Sequence, residues 1–337
     1  MQRIAFQFLA LFLLSASGFL LPGVAQNKGA DPPELTEAKK LSIEIVKLYG
    51  EGKYDEALPL AKRAVELKEK VLGKEDTSLA DSLNNLGALY MEKQDLKNAD
   101  AAYKRSLAIY EKVKGADDIS LTLMLDKLAW IRYGSGLPGS AEDLLKRSLS
   151  IKEKVSGKES TEVGQSLVYL GQLYEKQGRF KQAIPFYKRA VDVLAKLGAD
   201  ETFQAQVAEK CSCTMKLNDQ EKEAEEFEKQ AFAKRQKTGE ISKDTEGAFG
   251  EVLIGKAIFR QQPAYPSAAK RIRVYGGVVV QVTVDENGNV IKAQTLCGLD
   301  YFAQVSEEAA RKWRFTPSLL HGVPVKIVGN ITFNFLP

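Results

Sequence analysis

Histidine is almost absent from this 337-residue chain: His321 is the single one. Without a second imidazole the familiar His-containing metal sites cannot be assembled, and most acid–base schemes lose their commonest member. Cysteine is scarce as well. Cys211, Cys213 and Cys297 are an odd number, which argues against a disulfide framework. Cys211 and Cys213 lie two apart in helical sequence, where side chains do not face each other, and all three read as buried small hydrophobes. Phosphate loops, nucleophile elbows and metal-ligand spacings are missing too. The adjacent carboxylates Glu225-Glu226 and Glu307-Glu308 sit on charged helix faces. The chain therefore reads as a non-enzyme, with no cofactor and no small-molecule substrate. Charge of one sign is also lacking: 48 Lys and Arg oppose 44 Asp and Glu, a formal +4. Nucleic acid is excluded as a partner, since phosphate binding needs concentrated basic clusters. The whole excess lies after residue 250, where ten basic residues face six acidic ones.

Long hydrophobic runs are confined to the start, MQRIAFQFLALFLLSASGFLLPGVAQ. Arg3 gives a short positive region, Ile4 to Leu21 an apolar stretch, and Gly23-Val24-Ala25 a small-x-small site before Gln26. Residues 1–25 read as a signal peptide, with an uncleaved anchor as the alternative because the stretch approaches the roughly 20 residues of a membrane span. Either way the bulk of the chain lies outside the cytoplasm. Residues 26–40 are expected to be flexible.

From residue 41 to 236 the sequence repeats. ALPLAKRA from Ala57, ADAAYKRS from Ala99, AEDLLKRS from Ala141 and AIPFYKRA from Ala183 begin 42 residues apart, and a weaker AEEFEKQA begins at Ala224. Each block follows a second pattern, Leu86-Gly87 with Tyr90, Leu128-Ala129 with Tyr133, and Leu170-Gly171 with Tyr174, so each unit has two helices. Small residues such as Gly87 and Ala99 let the pair approach, while Leu86, Tyr90 and Tyr103 fill between them. Neither helix buries its apolar face alone, so neighbouring units must stack. GSGLPGSAE at 134–142 is a turn within one unit.

This pattern resembles the tetratricopeptide repeat (TPR), whose Leu-Gly, Tyr, Ala, aromatic and small positions fall on Leu86-Gly87, Tyr90, Ala99, Tyr103 and Ser106, and on Leu170-Gly171, Tyr174, Ala183, Tyr187 and Ala190. The 42-residue length is similar to the long repeats of kinesin light chains. The resemblance implies an α-solenoid of helix hairpins whose first helices line a concave, peptide-binding face. Its ligand-facing positions are Asp81, Asn84, Ala88 and Met91, then Leu123, Asp126, Trp130 and Tyr133, then Gln165, Val168, Gln172 and Glu175. Asn84, Asp126, Trp130, Tyr133 and Val168 are the expected contacts. Trp130 can alternatively pack inside the solenoid or under the C-terminal domain.

After a linker at 237–255, residues 256–337 change period. In GVVVQVTVD, Val278, Val280, Val282 and Val284 alternate with Val279, Gln281 and Thr283, which predicts a half-buried strand. Asp285 to Asn289 form a hairpin turn around Asn287-Gly288; the calcium-loop likeness fails because Gly288 is misplaced and the acidic end is missing. VIKAQTL is the return strand. A helix follows from Asp300, with Phe302, Val305, Ala309 and Trp313 on one face and Pro317 as its stop, and VKIVGNITFNF is a last strand. Pro263 and Pro266 keep the entry, QQPAYPSAA, from continuing a helix, and His321 reads as a solvated turn residue.

Gln262-Pro263, Tyr265-Pro266, Gly277, the Asp285–Gly288 turn, AARKWRFTP from Ala309 to Pro317, and Gly322 with Pro324-Val325 resemble, in order, the C-terminal domain of the TonB family of energy transducers. The resemblance covers about the last 75 residues. It implies a small α+β domain, an antiparallel sheet with one main helix, that adds an extended peptide of an outer-membrane receptor to a sheet edge. The expected edge is the last strand, through Ile327, Gly329, Ile331 and Phe333, flanked by Tyr265, Arg271 and Arg273. Trp313 is expected in the core. The chain departs from the family in two ways. Its N-terminal apolar stretch has no histidine, and its eleven prolines form no spacer.

The expected function is that of a periplasmic protein-interaction protein, a TPR scaffold whose TonB-type domain binds an outer-membrane TonB-dependent receptor or transporter. One alternative is an inner-membrane-anchored energy transducer coupled to the motor complex. The other is a pure scaffold without receptor binding.

Overall fold

The computed structural model describes residues 31–239, 256–271, 274–320 and 322–336. The predicted signal peptide, Arg273 and His321 lie outside the described residues.

Ten helices make five antiparallel hairpins: α1 (Pro33–Gly50) with α2 (Tyr54–Leu72), α3 (Thr77–Glu92) with α4 (Leu96–Lys114), α5 (Leu121–Gly134) with α6 (Pro138–Ser156), α7 (Thr161–Lys176) with α8 (Phe180–Lys196), and α9 (Glu201–Lys216) with α10 (Glu221–Lys237). Pro33 opens α1 at a position where a missing N–H costs nothing, so the solenoid starts inside the stretch expected to be flexible. Asp76, Asp95, Ser160 and Asp200 start α3, α4, α7 and α9 by accepting a first-turn N–H. Each hairpin turns through one residue of left-handed backbone: Gly52, Gln94, Gly136, Gly178 and Asp219.

The paired helices approach as closely as their small residues allow. A Cβ on Gly171 would stand 2.7 Å from the Tyr187 ring, and one on Gly87 3.0 Å from that of Tyr103. Both tyrosines are buried between helices. Along the back of the stack, Arg105 reaches Glu69, Arg147 reaches Glu111 and Arg189 reaches Glu153. Lys112 pairs with Glu75, Lys154 with Asp117 and Lys196 with Glu159. The repeat in sequence thus becomes a ladder of exposed ion pairs between successive units.

The C-terminal module contains β1 (Ala257–Phe259), α11 (Ser267–Arg271), β2 (Gly276–Val284), β3 (Val290–Gly298), α12 (Asp300–Ala310), β4 (Arg314–Phe315), β5 (Leu319–Leu320), β6 (Val323–Pro324) and β7 (Ile327–Phe335). Its main sheet is antiparallel in the order β3-β2-β7, with Val280 opposite Ile331 and Val282 opposite Ala293. Val278, Val280, Val282, Val284, Ile331, Phe333 and Phe335 form the core with Phe302 of α12. Phe302 stacks on Phe335 at 3.9 Å between centroids, and Tyr265 meets both rings edge-on. Asp285 accepts the N–H groups of Asn287 and Asn289, closing the predicted hairpin turn.

Two expectations are corrected. Helix α12 ends at Ala310, so Trp313 lies beyond it and is half-buried. Its indole Nε1–H donates to the Gln261 carbonyl at 2.8 Å while the ring packs on Phe333 and Phe315. Pairing of β1 with β4 brings the entry segment to this place, which a helix running to Pro317 would have prevented. The cysteines are the second correction. Cys213 of α9 and Cys297 of β3 form a disulfide across 84 residues, with Cα atoms 6.2 Å apart. The spacing that keeps Cys211 and Cys213 from facing each other sends Cys211 into the solenoid core and Cys213 out to the module. Burial pushes the free Cys211 thiol up to about 12, leaving it unreactive at neutral pH.

The module therefore rests on the last hairpins. Val279, expected on the solvated face of β2, is buried with Cys213, Cys297, Leu217 and Leu296. Lys176 of α7 pairs with Asp300 at 2.5 Å.

Candidate functional site

Every sheet has two edges, and an edge with unpaired main-chain groups is a template for another strand. Here the two differ. Edge strand β3 is blunted by side chains: Glu307 Oε1 accepts the Thr295 N–H at 2.8 Å, Arg311 donates to the Ala293 carbonyl at 3.1 Å, and Lys210 Nζ donates to the Leu296 carbonyl at 2.8 Å. Edge strand β7 pairs with β2 along one side and with no described strand along the other. Among the described residues no side chain bonds to the main chain of Ile327–Phe335.

The predicted residues of this edge play distinct parts. Ile327, Ile331 and Phe333 point into the core, Val328, Asn330, Thr332 and Asn334 are exposed, and Gly329 is half-buried. Because the outward main chain of Ala293 and Thr295 turns their partners Val282 and Val280 toward β7, the N–H and C=O groups of Gly329 and Ile331 face β2, and an incoming strand would meet the main chain of Val328, Asn330, Thr332 and Asn334 together with their exposed side chains. Tyr265 is half-buried, its hydroxyl donating to the Val274 carbonyl, so it supports the sheet from beneath. Arg271 is exposed at the end of α11.

On the solenoid, Asn84, Trp130 and Tyr133 are half-buried on the faces of α3 and α5, and Leu123 is 45% exposed. Trp130 makes edge-on contacts at 6.1 Å with Tyr133 and with Tyr169 of α7. Tyr133 donates its hydroxyl to the Lys176 carbonyl at 3.2 Å, and burial, with Asp300 beside it, raises its pKa. Asp126 and Val168 are not on the open face. Asp126 turns inward, where Lys152 Nζ donates to it at 2.8 Å and to Ser166 Oγ at 2.7 Å, and Val168 is buried between the later hairpins. Lys127, next to Asp126 on α5, is half-buried, and burial pushes its pKa down to about 8. The sequence reading missed Lys210, Leu217, Glu307 and Arg311. The 42-residue series Asn84, Asp126, Val168 continues to Lys210, and the series Met91, Tyr133, Glu175 continues to Leu217.

The tetratricopeptide repeat family matches residues 48–112, 78–154 and 162–237, and the Gram-negative bacterial TonB protein C-terminal family matches residues 261–336. The chain is a tetratricopeptide-repeat protein with a TonB C-terminal domain. This TPR protein is similar over 66 residues, at 39% identity, to Protein TonB of Vibrio cholerae serotype O1, a match covering 19% of this chain and 27% of that protein. The likeness is thus confined to about a quarter of the relative's length. Among solved structures, a putative kinesin light chain of P. anserina with nearly identical TPR-like repeats aligns at TM-score 0.55 and 21% identity, over 63% of this chain and all of that one. BtubC (BKLC) of P. vanneervenii aligns at TM-score 0.56 and 19% identity, over 62% of this chain and 83% of that one. At such identities these two carry the solenoid fold alone.

Proposed function

We propose that this TPR protein is an exported, envelope-associated interaction protein in which β7 of the TonB domain takes up an extended peptide of an outer-membrane transporter or receptor as an added strand. The solenoid holds a second protein on the concave face around Asn84, Trp130 and Tyr133. One observation carries the reading: of the two sheet edges, β3 is capped by Glu307, Arg311 and Lys210 while β7 is left open.

Strand addition satisfies the free N–H and C=O groups of β7 at about 1 kcal/mol net per hydrogen bond, so the ladder gives modest affinity and little selectivity. Side chains on the exposed face of the strand, Val328, Asn330, Thr332 and Asn334, must supply the discrimination. The reading is tested by titrating a receptor-derived peptide into the full chain and following backbone amide resonances. Shifts should run along Ile327–Phe335 and spare Val290–Gly298. Binding that moves β3 or the solenoid alone would overturn it.

A further inference from the structure

The 42-residue register places Lys210 of α9 and Leu217 at its C-cap in the rows of Asn84, Asp126 and Val168, and of Met91, Tyr133 and Glu175; in these rows Asn84, Met91 and Tyr133 are half-buried at the open face, while Asp126, Val168 and Glu175 are buried. Both residues touch the C-terminal module. Lys210 Nζ holds the Leu296 carbonyl of β3 at 2.8 Å, and Leu217 packs with Val279 and Leu296. The fit is close. A Cβ on Gly277 would come within 2.7 Å of Leu217, and one on Gly178 within 3.1 Å of Leu299. Gly178, Lys210, Cys213 and Leu217 of the solenoid and Gly277 and Cys297 of the module thus line one seam.

We propose that the concave station of α9 is a strand-binding site of the solenoid, and that its resident ligand is the chain's own β3. Lys210 recognises the strand's outward carbonyl, Leu217 covers the sheet face beside it, and the Cys213–Cys297 bond makes the occupancy permanent. Partner segments are accordingly limited to the first helices of the other hairpins, α1, α3, α5 and α7. The β7 edge is carried at a fixed orientation to them instead of swinging on a linker. This assignment stands whether or not β7 accepts a guest.

Recognition must outlast the covalent bond if this is so. A covalent tether between two sites supplies an effective concentration of about 1 mM, so the non-covalent contacts must hold β3 with a dissociation constant below that. The test compares full-length chains by backbone NMR relaxation. In the oxidised protein, module and solenoid amides should report one common tumbling time, and a non-reduced digest should show Cys213 joined to Cys297 with Cys211 free. Cys213→Ala/Cys297→Ala should keep the common tumbling. Adding Lys210→Ala and Leu217→Asp should release the module, shortening its tumbling time severalfold with its amide fingerprint unchanged. Lys210→Ala in the cysteine-free chain tests the seam again without introducing a charge, and should raise the fraction of released module. Independent tumbling of the module in the cysteine-free chain would overturn the assignment, as would three free thiols in the unreduced protein.

Discussion

Replacing Lys152 by Met should expose how much the solenoid depends on one buried charge. The Lys152 and Asp126 side chains are only 8% and 11% exposed, and the second oxygen of Asp126 has no partner. Removing the ammonium leaves a carboxylate in low-dielectric surroundings, and breaking such a pair typically costs 3–5 kcal/mol. Protonation sets a ceiling. A carboxyl of ordinary pKa near 3.9 can take a proton at pH 7 for about 4 kcal/mol, and at pH 5 for about 1.5 kcal/mol. The loss should therefore be about 3–4 kcal/mol at pH 7 and shrink to about 1.5 kcal/mol at pH 5. Replacing both partners, Asp126→Leu with Lys152→Met, should restore most of it, because an apolar pair needs no desolvation compensation. Urea titrations at the two pH values, followed by helical circular dichroism, read all three chains. A pH-independent loss, or a double variant as weak as the single, would refute the reasoning.

Three further outcomes are expected. Gln94 occupies a left-handed position, φ 60°, that glycine holds in three of the other four hairpins; Gln94→Gly should raise solenoid stability, by up to about 1 kcal/mol in urea unfolding, since non-glycine residues pay about 1–2 kcal/mol there. Gly288→Ala would put a Cβ 1.9 Å from the Phe315 carbonyl oxygen at φ 83°, so the module should lose its sheet and the Trp313 fluorescence of the packed state while α1 to α10 stay helical. For Glu142, burial alone would raise the carboxyl, but hydrogen bonds with Lys146, Tyr174 and Arg179 outweigh it and hold it at about 2. Its contribution is present above the ordinary value of 4.5 and lost as pH falls toward 2, so acid titration of Glu142→Gln should show a shallower stability loss across that window.

The solenoid was legible because a stacked architecture writes its period into the chain: Gly87 and Gly171 recur where Tyr103 and Tyr187 need room. The module was legible through its punctuation, since Asp285 and Gly288 fix a turn by local chemistry. What stayed hidden depends on contacts between distant segments. Cys213 and Cys297 are 84 residues apart, and an odd cysteine count gives no hint that one thiol is excluded by pointing into the core. Trp313 looked like a helix residue because its spacing from Ala309 suits one; its true partner, Gln261, lies 52 positions upstream. Asp126 fell on the ligand-facing register, yet Lys152 across the hairpin draws it inward. Periodicity says which residues share a face, not which of them a buried counter-charge will claim.

The Cys213–Cys297 bond also turns the stretch between its ends into a covalent ring that encloses all of α10 and residues 240–255. A protease that nicks this ring once, at any peptide bond between the two cysteines, leaves two fragments on a reducing gel and a single species of unchanged mass on a non-reducing one. Proteolysis of the connection between the helical stack and the sheet would thus leave the two joined.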